Sequence, residues 1–369
     1  MLGKRFAVLA SIGALFAVSV AAQNGPPGPD APKLEADGAI HLAHEARFPF
    51  SPFASKQALA RFRQMLAEDR NAPDFEASIE VIRAYYDKLD GARAERMKAL
   101  YPVKIAASKI DGVPVQVVSP SNAKPDPRRV LINLHWGGFM FGAGNGGLVE
   151  SIPVASVSKI TVVSVDYRMG PEHTYPAASE DVEKVYRDLL KRHAPQDIGI
   201  YGCSAGGGLA AQSVAWLASK KLPRPGAIGM FCSGLDGFGG DSAYFAPMLN
   251  GQAVPAGAPM DLMAVLPYFH GADAKDPLVW PGRSSAVLAK FPPTLLISGT
   301  RDEALSPTLH SQDLLTRAGA ETELHVWDGM WHRFFADPEL PESQAAYSVI
   351  ARFFQRQLGR TPAYADKST

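Results

Sequence analysis

The chain has 369 residues, 46% of them hydrophobic, enough to build one large domain or two ordinary ones. Lys and Arg together number 37, as do Asp and Glu, so no basic stripe points to nucleic acid and no net field steers an acidic partner. The two cysteines, Cys203 and Cys232, fall at expected buried strand ends, which favours free thiols over a disulfide, and no CxxC or paired-histidine spacing suggests a metal site.

At the N-terminus, Lys4 and Arg5 precede an apolar run over 6–18 and then small residues up to Ala22. A charged start, an apolar stretch and small residues make a secretion signal over 1–22, cleaved after Ala22, and imply a periplasmic or secreted protein. The run is short of the roughly 20 apolar residues a membrane span needs. No stable membrane insertion is therefore expected after signal removal. Residues 23–35, with Asn24-Gly-Pro-Pro-Gly-Pro-Asp30, read as a flexible linker.

Residues 36–100 read as a mostly helical segment. Phe75, Ile79, Ile82, Tyr86 and Leu89 recur at spacings of four and three, and Leu59, Phe62, Met65 and Leu66 suggest a helix before them. From 101 to 369 strands alternate with helices. The strands are predicted over 104–109, 115–119, 130–134, 161–165, 198–203, 227–232, 294–298 and 323–327. Helices are predicted up to His193, from Ser204, from Ser306 (with Ser306 as N-cap and Pro307 in the first turn) and through Tyr347 to Leu358, stopped by Gly359. This alternation predicts an α/β fold with a mostly parallel sheet covered on both faces. The stretch 234–283 is too long for a simple connection and is expected to form, with the helical N-terminal segment, a cap over the sheet edge.

Gly202-Cys203-Ser204-Ala205-Gly206 fits the G-x-S-x-G turn, in which a serine sits on a strained corner between strand and helix. A serine hydroxyl needs a base, and the base needs an orienting acid. Past the strand over 294–298 stands Asp302. Past the strand over 323–327 stands His332, the only one of nine histidines so placed. The order Ser204, Asp302, His332 suits a triad, with Asp236, also just past a strand, as the rival acid. The strand over 130–134 runs into His135-Trp136-Gly137-Gly138-Phe139. Gly137, Gly138 and Ala205 would offer N–H groups to a developing oxyanion. Trp136 and Phe139 are candidate substrate-binding residues, Trp136 either walling the pocket or packing away from it.

These motifs, together with Asp166-Tyr-Arg-Met-Gly-Pro-Glu-His173, Tyr175-Pro-Ala-Ala178, Glu180-Asp181, Asp276-Pro-Leu-Val-Trp-Pro281 and Asp328-Gly-Met-Trp-His332, resemble the hormone-sensitive-lipase family of α/β-hydrolases, the bacterial family IV esterases. The resemblance spans about 100–358. It implies an α/β-hydrolase fold and a serine carboxylesterase that acts on small-molecule esters through an acyl-enzyme and needs no cofactor or metal. It also implies that Arg168 and Glu172 brace the loops beneath the oxyanion hole. Trp136 departs from the family's HGGG loop and Cys203 from its usual Asp or small residue. Other readings are an acyltransferase or amidase with the same triad, to be told apart by product analysis with a competing alcohol or amine, and a silent ligand-binding member. The natural ester, its acyl length and the oligomeric state are not legible.

Overall fold

The structure, a computed structural model, describes residues 33–34, 40–41 and 48–360, apart from 70, 75, 253 and 255–260. The expected signal, most of the linker, and Phe75 lie outside the described residues. The chain divides into two units at Pro49 and Phe50. In the first unit, Lys33–Leu34 pairs antiparallel with Ile40–His41. The second unit, from Phe50 on, carries everything described below.

Helix α1 spans Lys56–Asp69 and α2 spans Ile79–Leu100. Ser55 caps α1, its hydroxyl accepting the Ala58 N–H at 3.0 Å. Strands β1 (Val103–Ile110) and β2 (Val113–Pro120) form a hairpin whose two-residue loop is Asp111-Gly112, both at positive φ, the chemistry a tight turn requires. Six further strands follow: β3 (Val130–Leu134), β4 (Thr161–Val165), β5 (Ile198–Cys203), β6 (Ala227–Phe231), β7 (Thr294–Arg301) and β8 (Thr322–Trp331). Their order in the sheet is β8-β7-β6-β5-β3-β4-β2-β1, parallel from β8 through β4 and antiparallel at β2 and β1.

Between the strands lie α3 (Asn145–Ser158), α4 (Ala177–Leu189), α5 (Ala205–Ser219), α6 (Ser242–Leu249) and α7 (Leu305–Arg317), and α8 (Pro341–Gln357) follows the last strand. The alternation within β5 shows why both faces are covered. Ile198 and Ile200 join the core cluster that includes Val182, Val185 and Leu209 of α4 and α5. Tyr201 and Cys203 join the opposite one, with Ile152 of α3 and Ile350 and Phe354 of α8. Helix α4 buries a stripe at 3.6-residue spacing, Ala178, Val182, Val185 and Leu189, whereas α3 and α5 are buried on nearly every face.

Several predicted boundaries move, among them the end of α4, at Leu189 rather than near His193. Strands β7 and β8 run on to Arg301 and Trp331, because Gly299 lets β8 approach: a Cβ there would stand 2.2 Å from the Met330 carbonyl oxygen. Helix α7 starts at Leu305 rather than being capped by Ser306. The turn after Asp302 initiates it, with the Leu305 N–H on the Asp302 carbonyl at 3.0 Å, and Ser306 exchanges hydrogen bonds with Ser242 instead.

Candidate active site

The chain reverses direction across the sheet between β3 and β5, since β4 lies outside β3 while β5 lies inside it. Crevices at the C-terminal ends of parallel strands form at such points. Ser204 stands there, immediately after β5, at φ 55 and ψ −120, a left-handed conformation that costs a non-glycine residue about 1–2 kcal/mol. Its N–H donates to the Phe231 carbonyl on β6 at 2.8 Å, which pins the corner to the neighbouring strand. The flanking glycines have a steric reason. A Cβ on Gly202 would lie 2.3 Å, and one on Gly206 1.8 Å, from the Leu134 carbonyl oxygen at the end of β3. Without side chains at both positions, the serine corner packs directly on the strand that feeds the His135–Phe139 loop.

Asp302 and His332 follow the ends of the adjacent strands β7 and β8. Asp302 is wholly buried, and its carboxylate accepts three bonds: the His332 Nδ1–H at 2.7 Å, the Ser298 hydroxyl at 2.7 Å and the Ala304 N–H at 2.9 Å. Burial alone would push the Asp302 pKa up. The His332 charge and these donors outweigh it, and the carboxyl is held below its ordinary value. Burial likewise pulls His332 down, but Glu303, whose Oε1 is 3.4 Å from Nδ1, and Asp302 raise it well above the usual imidazole range. The pair is therefore a carboxylate orienting an imidazole that gains its proton readily. Asp236, the rival acid, is held by Arg283.

The loop after β3 turns at Gly137 (φ 111) and Gly138 (φ 61), with the Gly137 carbonyl accepting the Met140 and Phe141 N–H groups at 2.9 and 3.0 Å. Leu134 pairs with Gly202 in the β3–β5 ladder, so this loop and the Ser204 corner leave the sheet side by side. His135 is buried, stacked on Tyr167 at 4.1 Å, with Nδ1 2.7 Å from the Trp136 carbonyl oxygen; desolvation keeps its pKa below the usual value.

Residues 131–336 match a protein family described as having the alpha/beta hydrolase fold. An acetyl-hydrolase of Streptomyces hygroscopicus is 27% identical over 233 residues, covering 63% of this chain and 77% of the relative. Among solved structures, an esterase titled E25 superposes with a TM-score of 0.70 at 30% identity, covering 85% of this chain and 99% of its own. An esterase of the bacterial hormone-sensitive lipase family gives a TM-score of 0.72 at 25% identity, covering 83% and 100%. The chain belongs to the α/β-hydrolase family, in its hormone-sensitive-lipase-like branch.

In this hydrolase the 234–283 stretch meets the loop after β3. Phe139, itself at φ 59 and buried, stacks on Tyr268 at 4.7 Å and meets Phe269 edge-on at 5.1 Å. A Cβ on Gly138 would lie 3.8 Å from Leu266. Arg168 is engaged with Asp181, Glu180 and the Ala177 carbonyl, tying the loop after β4 to α4. Glu172 pairs with Arg83 of α2, which also donates to the Met140 and Gly170 carbonyls, at 2.8 and 2.9 Å. Trp136 turns its indole N–H onto Asp90 of α2 at 2.7 Å, with Tyr86 and Phe141 edge-on to its ring.

Sequence reasoning does not single out Asp90, Glu150, Arg333, Ser298 or Glu303. One signal was present: Ile82, Tyr86, Asp90, Ala94 and Met97 lie on one helical stripe, and an acid there requires a buried partner. Cys232, Asp302 and His332 bring a sulfur, a carboxylate oxygen and a ring nitrogen within 4.8 Å of one another, the one metal-type trio among the described residues. The aspartate and histidine are already bonded to each other. Burial holds the Cys232 thiol well above its usual pKa, so its sulfur stays protonated rather than offering a thiolate. Among the described residues no helix is long and apolar enough to cross a membrane.

Proposed function

We propose that this carboxylesterase hydrolyses short- to medium-chain acyl esters of small molecules through an acyl-enzyme on Ser204. The observation that carries the reading is the 2.7 Å bond from His332 Nδ1 to a buried, triply bonded Asp302, at the same C-terminal end of the parallel strands as a serine on a positive-φ corner. With Nδ1–H held by Asp302, the neutral ring keeps Nε2 as its basic nitrogen. His332 takes the Ser204 proton as Oγ attacks the ester carbonyl and later returns it to the leaving alcohol. Asp302 orients the ring and stabilises its charged form. Gly137, Gly138 and Ala205 hold the oxyanion, each donor being worth about 3 kcal/mol of barrier. Water then releases the acid by the same route. Ester hydrolysis itself agrees with the esterases and acetyl-hydrolase the chain is similar to.

The 234–283 stretch serves as a cap, a reading supported by the approach of Leu266, Tyr268 and Phe269 to Gly138 and Phe139. Export rests on residues 1–22 alone, and N-terminal sequencing of the mature protein checks it. The catalytic reading is tested with 4-nitrophenyl esters from acetate to dodecanoate, and with a fluorophosphonate. Expected are a rate optimum between acetate and octanoate and a phosphonate adduct on Ser204. An optimum at dodecanoate corrects the acyl length; an unlabelled Ser204 overturns the mechanism.

A further inference from the structure

Arg333 follows His332 directly, stands at φ 58, and is 4% exposed although nothing in ester chemistry uses it. Its guanidinium meets two carboxyl groups from different helices: Nη1 lies 2.9 Å from Asp90 of α2, and Nε lies 3.3 Å from Glu150 of α3, whose pKa burial pushes up to about 7. Nη2 donates to the Gly146 carbonyl at 3.3 Å, and the planar group lies 4.1 Å from the centre of the Trp136 ring. Each carboxyl group then grips Trp136 a second time. Asp90 Oδ2 accepts the indole N–H at 2.7 Å, and Glu150 Oε1 accepts the Trp136 backbone N–H at 3.3 Å. Glu150 Oε2 takes the Asn133 amide at 3.1 Å, fixing it to the end of β3. Trp136 sits between His135 and Gly137, so two closed bridges run from the residue after the candidate base to the residue before the candidate oxyanion glycines.

Buried ion pairs return little net stability, because desolvation offsets their attraction. Their partners nevertheless fix direction, and a planar fork meeting two carboxyl groups and an aromatic face has little freedom left. Asp90 and Glu150 are 1% and 5% exposed, so bulk solvent has little access to these contacts. The bridges cross between loops that share no strand pairing, since β3 and β8 lie four places apart in the sheet.

We propose that Arg333, Asp90, Glu150 and Trp136 are positioning residues that fix the His332 loop against the oxyanion loop, with helix α2 as part of the catalytic support. This rests on the triad reading above. It makes Trp136 an anchor for the oxyanion loop, and it gives the N-terminal helix a role in turnover rather than in substrate entry alone.

The test is a double-mutant cycle on 4-nitrophenyl butyrate hydrolysis with Asp90→Asn, Arg333→Met and the pair together, plus Trp136→Phe, which keeps a ring and all the charges but loses the indole N–H. Loss of alignment by about 1 Å costs about 100-fold. The single variants are expected to lose about 10- to 100-fold in kcat with KM within threefold, and the double variant no more than the worse single one. Met97→Ala, a wholly buried apolar deletion in the same helix, controls for stability: its Tm is expected to fall while kcat stays. Folded variants with wild-type kcat, or losses that multiply in the double variant, overturn the proposal. If the charge variants do not fold, Trp136→Phe decides, a kcat loss at constant KM supporting the brace and an unchanged kcat refuting it. All these variants keep Ser204, Asp302 and His332, whereas the triad is tested by phosphonate labelling, so the two readings fail separately.

Discussion

Replacing Gly206 by alanine tests whether the serine corner and the oxyanion loop are held in contact by the absence of a side chain. An alanine Cβ would stand 1.8 Å from the Leu134 carbonyl oxygen, 2.6 Å from its carbon and 2.8 Å from the His135 carbonyl oxygen. All three are backbone atoms, so no side chain can swing aside. Real Cβ contacts effectively never fall below 3.0 Å, so α5 and the end of β3 must separate by about 1.2 Å. That displacement moves Gly137 and Gly138 away from Ser204. A 1 Å misplacement of catalytic groups costs about 100-fold, and overpacking of this kind costs about 1–3 kcal/mol of stability. Gly208 lies two residues along the same helix, and its added Cβ would meet only the Ser233 hydroxyl at 3.5 Å. Gly208→Ala should therefore gain up to about 1 kcal/mol from helix propensity and keep full activity. The assay is kcat and kcat/KM on 4-nitrophenyl butyrate, with thermal unfolding followed by circular dichroism. A folded Gly206→Ala enzyme within threefold of wild-type kcat, or one no worse than Gly208→Ala, would refute the reasoning.

Ser204→Ala should reduce turnover to near background and Asp302→Asn should lose about 10⁴-fold in kcat, while Asp236→Asn, whose carboxylate pairs with Arg283, should stay near wild type; steady-state kinetics of the three variants checks the assignment of the acid. The proposed mechanism needs neutral His332, and the nearby carboxylates favour its charged form, so kcat/KM should rise with pH on a limb above the ordinary imidazole pKa. Glu303→Gln removes one of those negative charges, lowers the His332 pKa and should move the limb to lower pH in a kcat/KM profile from pH 5 to 10. Gly137→Ala should cost far more activity than Gly138→Ala. The first places a Cβ 2.0 Å from the Phe141 carbonyl oxygen at φ 111, whereas the second meets nothing nearer than 3.8 Å and costs about 1–2 kcal/mol of left-handed strain; parallel kinetics and melting curves measure the difference.

The sheet and the three candidate catalytic residues were legible because both depend on local pattern. Runs such as Val130–Leu134 and Thr161–Val165 are apolar, bounded and strand-length, and each candidate site residue sits one turn or less beyond such a run. The Asp302 and Asp236 alternatives could not be separated by position, since both follow a strand. What separates them is the hydrogen-bond set each carboxylate finds, which depends on where Arg283 and His332 return in space. Arg333 was illegible for the same reason. A charged residue after a loop histidine reads as solvated until two acids more than 180 residues away, Asp90 and Glu150, are seen to converge on it. Trp136 was legible as a departure from the family pattern but not in direction, because its partner Asp90 lies on a helix whose packing against the sheet no periodicity specifies.

The pleat keeps Cys203 apart from the chemistry proposed for Ser204. A thiol adjacent to a nucleophilic serine is a more reactive group at neutral pH than the hydroxyl, and on the open face it would compete for the ester. Side chains of a strand alternate, so the residue before the corner is committed to the face that Tyr201 occupies, and Cys203 is wholly buried in that cluster with Phe231 and Phe335. Burial raises its pKa, which leaves it the uncharged thiol. Ser204 escapes the alternation because its backbone has left the strand for φ 55, which turns it away from the pleat at the cost of strain. On the proposed mechanism the corner therefore does two things at once: it places the partly exposed Ser204 at the end of the sheet, and it leaves the Cys203 thiol behind it in the core.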